Sequence, residues 1–191
     1  MNKGKLFIIT GTSAVGKTTV AKGVLNKAKN LRRSLTYSSR PRRGEEKNHQ
    51  DYHFISVDKF KQKIKNREFL EWANNYGNLY GTDKKDINKI LDKGKNVLVV
   101  IDIKGALNIK KKWPKKSIAI FILPESIEQL KKRFKKRRDT SKEDIKKRLK
   151  IAKWEMAKSA KCDFWVVNRE NKVNLAVKEV LEIIKNYSLN Q

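Results

Sequence analysis

"GTSAVGKT", residues 11–18, is the stretch on which the reading of this chain turns. It meets the pattern G-x-x-x-x-G-K-[ST] at every defined position. The run before it, "KLFIIT", reads as a short buried strand ended by Gly11. After it, Thr18–Lys29 carries Val20, Val24, Leu25 and Ala28 at helical spacing. Strand, glycine-rich loop and helix, in that order, are the context the pattern requires. The glycines let the backbone curl so that successive N–H groups face inward, and the helix start adds its positive dipole end. Lys17 then reaches the terminal phosphates of a nucleoside triphosphate, and the Thr18 hydroxyl can ligand Mg²⁺. Gly11, Thr12, Ser13, Ala14, Val15, Gly16, Lys17 and Thr18, followed by Thr19, are therefore the expected phosphate-binding residues.

Outward from the loop, "NVLVVID" (96–102), "SIAIFIL" (117–123) and "DFWVVN" (163–168) are continuous apolar runs of strand length. Such runs suit strands covered on both faces of a parallel sheet. Helical patterns lie between and after them. Thr82 is a candidate cap for a helix with Ile87, Ile90 and Leu91 on one face and Gly94 as its stop. Ile127, Leu130 and Phe134 form the stripe of another. Thr140 and Glu143 have the spacing of a capping box, ahead of Ile145, Leu149, Ala152 and Met156, and Asn171 is the expected start of the last helix. Strands alternating with helices predict a three-layer α/β fold around a parallel sheet. Residues 34–81 break the rhythm and read as a small mixed lobe inserted into that core; the lysine- and arginine-dense stretch 131–150 keeps helical period and reads as a charged helical flap.

With 191 residues the chain has room for one substantial core, which favours a single domain. Its formal net charge of +27 favours anionic partners in general. However, 36 of its 47 cations are lysines spread along the whole length, so charge alone names no partner. One cysteine, Cys162, excludes an internal disulfide and a multi-cysteine zinc site, and fits a reducing compartment. The early apolar run leaves no room for a signal peptide, and no apolar stretch approaches membrane-spanning length. A soluble, cytoplasmic protein is expected, with no membrane partner.

Against that lysine background, "SSRPRR" (38–43) concentrates arginine. A guanidinium fork grips phosphate oxygens bidentately where an ammonium offers a point charge. Arg40 and Arg43, with Tyr52 from "DYHF", are thus a candidate second anion cradle in the inserted lobe. His49 and His53 flank a turn and a strand with no third ligand evident, so no metal site is expected there. The phosphate loop alone leaves ATPase, GTPase and kinase readings open. The absence of N-K-x-D speaks against a guanine-reading GTPase.

Over nearly its whole length the chain resembles the guanylate kinases: "GTSAVGKT", "SSRPRRGEE" with "DYHF", "EFLEWA" with "YGNLYGT", "IDIKGA", "FILPES", "RLKIAKWEM" and "WVVN" occur in that family's order and spacing. The resemblance implies one guanylate kinase-like domain, 1–191, divided into a core (1–33, 86–130 and 157–191), a GMP-binding lobe (34–85) and a lid (131–156). It implies ATP as donor, Mg²⁺ as cofactor and GMP as acceptor, with dGMP as a second acceptor. Arg40, Arg43, Tyr52 and Tyr80 fall where the family holds the GMP phosphate, and Glu71 where it reads the base. Guanine presents N1–H and N2–H₂ side by side, which one carboxylate accepts, whereas adenine presents a bare acceptor that a buried carboxylate rejects. Thr36, Gly81, Thr82 and Asp102 fall at further GMP-side positions. Arg137 and Arg148 match lid arginines that reach the ATP phosphates, and these with Lys17 and Arg40 form the implied catalytic set. Arg133 and Asn168 match positions near adenine.

The chain departs from the family pattern at several places. Ala14 stands for a common glycine in the phosphate loop, Gly44 lies one position early, His49 replaces a glycine before D-Y, and Arg138 replaces the glycine after the lid arginine. Val100 stands where an acid usually precedes Asp102 by two. Two rival readings are a non-catalytic guanylate kinase-like binding module and a basic nucleic-acid-binding protein, and a third is a related kinase with another phosphorylated acceptor. The intact phosphate loop, the paired arginines and Glu71 favour ATP-dependent phosphorylation of GMP, with no specific nucleic-acid partner expected.

Overall fold

The computed structural model describes residues 4–75, 77–135 and 141–189. Its centre is a five-stranded parallel sheet ordered β2 (Leu31–Arg33), β7 (Asn96–Val100), β1 (Leu6–Gly11), β8 (Ser117–Pro124) and β9 (Phe164–Asn168). The three apolar runs read from the sequence are β7, β8 and β9, and β1 is the strand before the loop. Their side chains alternate between two covered faces. Phe7 and Ile9 join Val20, Val24, Val177 and Val180, from helices α1 (Lys17–Lys27) and α7 (Val173–Leu189). Leu6 and Ile8 join Ile87 and Leu91 of α3 (Lys84–Leu91) and Ala106 and Ile109 of α4 (Ile103–Lys112). Helices on both faces of a parallel sheet give the three layers. Cys162 fills a cluster with Ile103, Ala119 and Phe121 beside β9, where burial pushes its thiol up to about 12.

In register, β1 pairs Leu6 with Val97 and Ser117 and ends with Gly11 opposite Ile122. A Cβ on Gly11 would lie 2.4 Å from the Ile122 carbonyl oxygen, so only glycine lets the chain turn away from the sheet here. The phosphate loop thereby opens at the carboxyl edge of the sheet, where open α/β folds bind ligands.

A second sheet interrupts the alternation. It is ordered β4 (His53–Phe54), β3 (Tyr37–Ser38), β6 (Asn78–Asp83) and β5 (Phe69–Asn75), with only β3 and β4 parallel. Helix α2 (Val57–Lys65) is capped by the Ser56 hydroxyl and packs Phe60 against Phe69, ring centroids 4.5 Å apart. Helices α5 (Ile127–Lys135) and α6 (Lys142–Lys158) close on one another through Leu130, Phe134, Ile145 and Ala152.

Three helix starts differ from the sequence reading. Helix α3 is capped by Asp83, whose carboxylate accepts from the Lys85 and Asp86 N–H groups, because Thr82 points its hydroxyl elsewhere. Thr140 lies outside the described residues, and α6 is capped by Ser141, which accepts from the Asp144 N–H. Asn171 takes a left-handed conformation, φ 55°, and α7 starts at Val173. Each shift moves the start by a residue or two, the usual uncertainty when neighbouring residues compete to cap. Among the described residues no helix is long and apolar enough to cross a membrane.

Candidate active site

Residues between β1 and α1 form the expected nest. Ala14 and Gly16 have φ of 63° and 97°, the left-handed turns that let such a loop curl. The Ala14 and Val15 carbonyls are held by side chains from other elements. Arg133 of α5 donates to the Val15 oxygen at 2.7 Å and to the Ala14 oxygen at 3.4 Å; Asn168, at the end of β9, donates to the Val15 oxygen at 2.8 Å. A Cβ on Gly16 would meet the Asn168 amide nitrogen at 2.4 Å, so that brace demands glycine at 16. The Lys17 ammonium donates to the Gly11 and Thr12 oxygens at 2.8 and 2.9 Å. Thr18 and Thr19 are exposed on the first turn of α1. Arg133 and Asn168, expected near adenine, are in this structure struts of the loop. Among the described residues the buried Asn168 Oδ1 and Thr12 Oγ1 have no hydrogen-bond partner.

The second sheet presents two groups of residues. In one, Arg40 forms a two-toothed ion pair with Glu46, both contacts 2.6 Å, and a third bond to the Pro41 oxygen at 2.8 Å. Its guanidinium lies 5.1 Å from the Tyr52 ring centroid and 5.3 Å from that of Phe54, with Tyr80 beside it. Glu46 holds the guanidinium's pKa above its ordinary value, and Arg40 holds the Glu46 carboxyl below its own. Burial raises the Tyr52 phenol, so it stays protonated as a donor. Arg43 is exposed, its backbone N–H bonded to Glu46 at 2.9 Å. Arg40, Tyr52 and Tyr80 therefore converge, with Arg43 at the rim.

In the other group, the buried Glu71 of β5 accepts a 2.7 Å hydrogen bond from the Thr82 hydroxyl of β6. The bulge between Phe69 and Glu71 aims this carboxylate at the first turn of α4. A Cβ on Gly105 would stand 2.6 Å from Glu71 Oε2. Burial, with the Asp102 charge adding to it, pushes Glu71 up to about 7. Asp102 caps α4 through the Gly105 N–H at 2.9 Å and accepts from the Asn75 side-chain amide. Gly81 is packed against the Phe69 and Phe60 rings, and Thr36 is buried where its carbonyl accepts from the His53 N–H.

Arg148 of α6 is half-buried, its guanidinium 6.0 Å from the Phe134 ring. Arg137 and Arg138 lie outside the described residues. Val100 packs against the core cluster beneath α1. The Nδ1 atoms of His49 and His53 are 2.8 Å apart, and among the described residues no group of three or more potential ligands could hold a metal.

A family model described as guanylate kinase matches residues 3–187. The chain belongs to the guanylate kinase family. It is 44% identical to a guanylate kinase of Prochlorococcus marinus subsp. pastoris, over 96% of this chain and 98% of that one. It is 38% identical to a guanylate kinase of Thermotoga maritima, over 96% and 87%. The fold superposes on the crystal structure of guanylate kinase from Anaplasma phagocytophilum with a TM-score of 0.83 at 27% identity, covering 100% of this chain and 89% of that one.

Within this guanylate kinase fold, the sequence reading passed over four residues that the geometry brings into the site: Glu46, Asn75, Gly105 and Glu155. Glu46 had a signal, an acid in an arginine cluster. Asn75 meets its partner 27 residues away, which no local pattern reveals. Burial pushes the Glu155 carboxyl of α6 up to about 7, while the Lys17 charge draws it back down.

Proposed function

We propose that this chain transfers the terminal phosphoryl group of ATP to GMP, giving ADP and GDP, with dGMP as a second acceptor. The observation that carries the reading is Glu71: a buried carboxylate, with Thr82 on one oxygen, lies on the same small sheet as an arginine and tyrosine cradle. Ionised, it accepts from guanine N1–H and N2–H₂; adenine offers no such donors there. Arg40, Arg43, Tyr52 and Tyr80 hold the acceptor phosphate, with Thr36, Gly81, Thr82 and Asp102 around the nucleoside. Residues 11–19 hold the donor phosphates. Asn168, with its unpartnered buried oxygen, suits an adenine amino group, and Arg133 flanks it.

Residues 34–85 serve as the GMP lobe, 131–156 as the lid carrying Arg137 and Arg148, and the remainder as the core. The acceptor is a phosphate oxygen already ionised at neutral pH, so no general base is required. Lys17 and the loop amides hold the donor, and Arg40, with the lid arginines, offsets charge on the transferring group. Closure of lobe and lid excludes water, which would otherwise consume ATP. The donor set fits a magnesium ion that arrives on the nucleotide: one exposed hydroxyl, Thr18, at the loop and no protein cage among the described residues. Mg²⁺ held there with the β- and γ-phosphates would neutralise charge between them. The single cysteine supports a cytoplasmic setting for the reaction.

A coupled assay with ATP, Mg²⁺ and a panel of nucleoside monophosphates tests the reading. GMP turnover should dominate, and Glu71→Gln should reduce it far more than it weakens ATP. Equal turnover of AMP and GMP by wild type, or an unimpaired Glu71→Gln, overturns the assignment.

A further inference from the structure

The turn that carries Tyr52 is closed by two histidines that have no part in the reaction so far. Residues 49–51 turn between Asn48 and Tyr52, which form an isolated bridge, and the His49 N–H donates to the Tyr52 oxygen at 2.9 Å. His53, the next residue, ties the turn to the second sheet by donating its N–H to the Thr36 oxygen at 3.0 Å. The side chains add a further link: the His49 and His53 rings meet with their Nδ1 atoms 2.8 Å apart. A contact of that length between two ring nitrogens needs a single proton between them.

The neighbours decide which ring holds it. The Asn48 side-chain oxygen accepts from the His49 and Phe54 N–H groups at 3.1 and 2.9 Å, so the amide nitrogen is the end that lies 3.3 Å from His49 Nε2. That amide donates, and His49 Nε2 is therefore bare. His49 then carries its proton on Nδ1 and donates it to His53 Nδ1, which leaves the His53 proton on Nε2. There it faces Asp86 Oδ2 of α3 at 4.0 Å, an oxygen shielded from solvent and without a hydrogen-bond partner among the described residues. All the partners from Asn48 to Asp86 thus agree on one pair of neutral tautomers. A further proton has only the two accepting nitrogens to go to. On His53 Nδ1 it sets N–H against N–H, and on His49 Nε2 it opposes the Asn48 amide.

We infer that His49 and His53 are positioning residues for the phosphate acceptor: as a neutral pair they staple the turn that holds Tyr52 beside Arg40, and a proton taken up by the pair releases it. The inference rests on the reading of Arg40 and Tyr52 as the cradle of the GMP phosphate. Around His53 stand Asp83 of β6 and Asp86 of α3, which favour a proton on it, and Lys63 of α2, which opposes one. The Tyr37 ring of β3 lies 4.5 Å away, centre to centre. Around the turn, Arg33 of β2 donates to the Gln50 and Asp51 oxygens, and the Asp51 carboxylate accepts from the Lys47 N–H. Burial outweighs the two carboxylates and lowers the His53 pKa from its ordinary 6.5, so the staple is closed at neutral pH and opens in acid.

Calorimetric titration of GMP into wild type and His49→Gly across this range tests the inference. Glycine takes the φ of 61° found at position 49 without strain, so the variant keeps the turn and loses only the ring. At about pH 8 it should bind GMP about fivefold more weakly, the size of one lost hydrogen bond. At about pH 5 the two proteins should agree within about twofold, because the wild type has then lost the staple as well. Ionisation of Glu71 and of the GMP phosphate is common to both and cancels in the ratio. Asp86→Asn removes a charge that favours the proton, so its affinity should begin to fall at a lower pH than that of the wild type. Nitrogen-15 spectra of the imidazoles in neutral solution should show His49 protonated on Nδ1. Equal affinities at high pH, a ratio that does not change with pH, an unshifted Asp86→Asn profile or an Nε2–H tautomer on His49 overturns the inference. Failure of the kinase reading is distinguishable, since it shows as no GMP binding by the wild type at any pH.

Discussion

Replacing Gly105 with alanine tests the proposed base-reading corner without changing a residue to which the proposal gives a side-chain contact with substrate. The added Cβ would stand 2.6 Å from Glu71 Oε2 and 3.0 Å from its Cδ, so the carboxylate must retreat by about 0.8 Å to regain ordinary contact. It cannot do so and keep both the 2.7 Å bond from Thr82 and its aim at the base. One of the two hydrogen bonds to guanine is lost or badly stretched. A bond to a charged group is worth about 1.5–3 kcal/mol, so kcat/KM for GMP should fall about ten- to a hundredfold. KM for ATP should stay within about twofold, because the phosphate loop is held by other contacts. Folding should not suffer in proportion. Alanine favours a helix over glycine by about 1 kcal/mol, and the Gly105 N–H still bonds to Asp102. The assay is steady-state turnover with each substrate varied, beside a thermal melt. A variant whose kcat/KM for GMP stays within twofold of wild type would show that Glu71 does not need this position. The guanine assignment would then lose its geometric basis.

Further outcomes rest on the same contacts. Lys17→Ala should abolish phosphoryl transfer to every acceptor, and substantial residual turnover would remove the loop's assigned role. Glu71 sits at about 7 before substrate binds and must be ionised to accept from guanine, so kcat/KM for GMP should rise as pH climbs through 7. Glu71→Gln should lack that limb, while ionisation of the substrate phosphates remains common to both proteins. Stability runs the other way: the folded state holds the Glu71 proton that the unfolded chain releases near its ordinary pKa of 4.5, so this group's contribution falls as pH rises from about 4.5 to about 7. Thermal melts across that range should show Glu71→Gln gaining on wild type as pH increases.

The core sheet was readable because its strands are uninterrupted apolar runs and the loop motif dictates a helix after β1. The two-residue strands β3 and β4 and the short edge strand β2 were not, since runs of two or three residues have no period to detect. Cap residues slipped for a related reason: Thr82 and Asp83 are both good caps, and the choice was made by a tertiary demand, the Glu71 carboxylate claiming the Thr82 hydroxyl. For the proposed site, Lys17 and Arg40 stood out in the sequence by their own chemistry, and Glu71 only through the resemblance to the guanylate kinases. Residues chosen for what they support did not. Gly105 is defined by a neighbour 34 positions away, and Asn75 by a partner on another element. Space and second partners are properties of the packed fold, and a single sequence carries no local trace of them.

The same distinction explains an arginine at position 40 in a chain with more than three lysines for each arginine. Arg40 has five N–H donors, and the structure commits three of them to the Pro41 oxygen and the two Glu46 oxygens. Tyr80 stands beside the guanidinium, so the fork is anchored by Glu46 and still has an N–H edge to offer an incoming phosphate. A lysine's three donors would be exhausted by the anchor alone, or would leave Glu46 unpaired to repel the phosphate. Arg40→Lys therefore conserves charge yet should lower kcat/KM for GMP about a hundredfold, with little change in KM for ATP. Lowering the ionic strength, which strengthens long-range attraction, should not restore it. If Arg40→Lys retains near-wild-type kcat/KM, the cradle works as an undirected positive field. The arginines of residues 38–43 would then be no more than part of the basic surface.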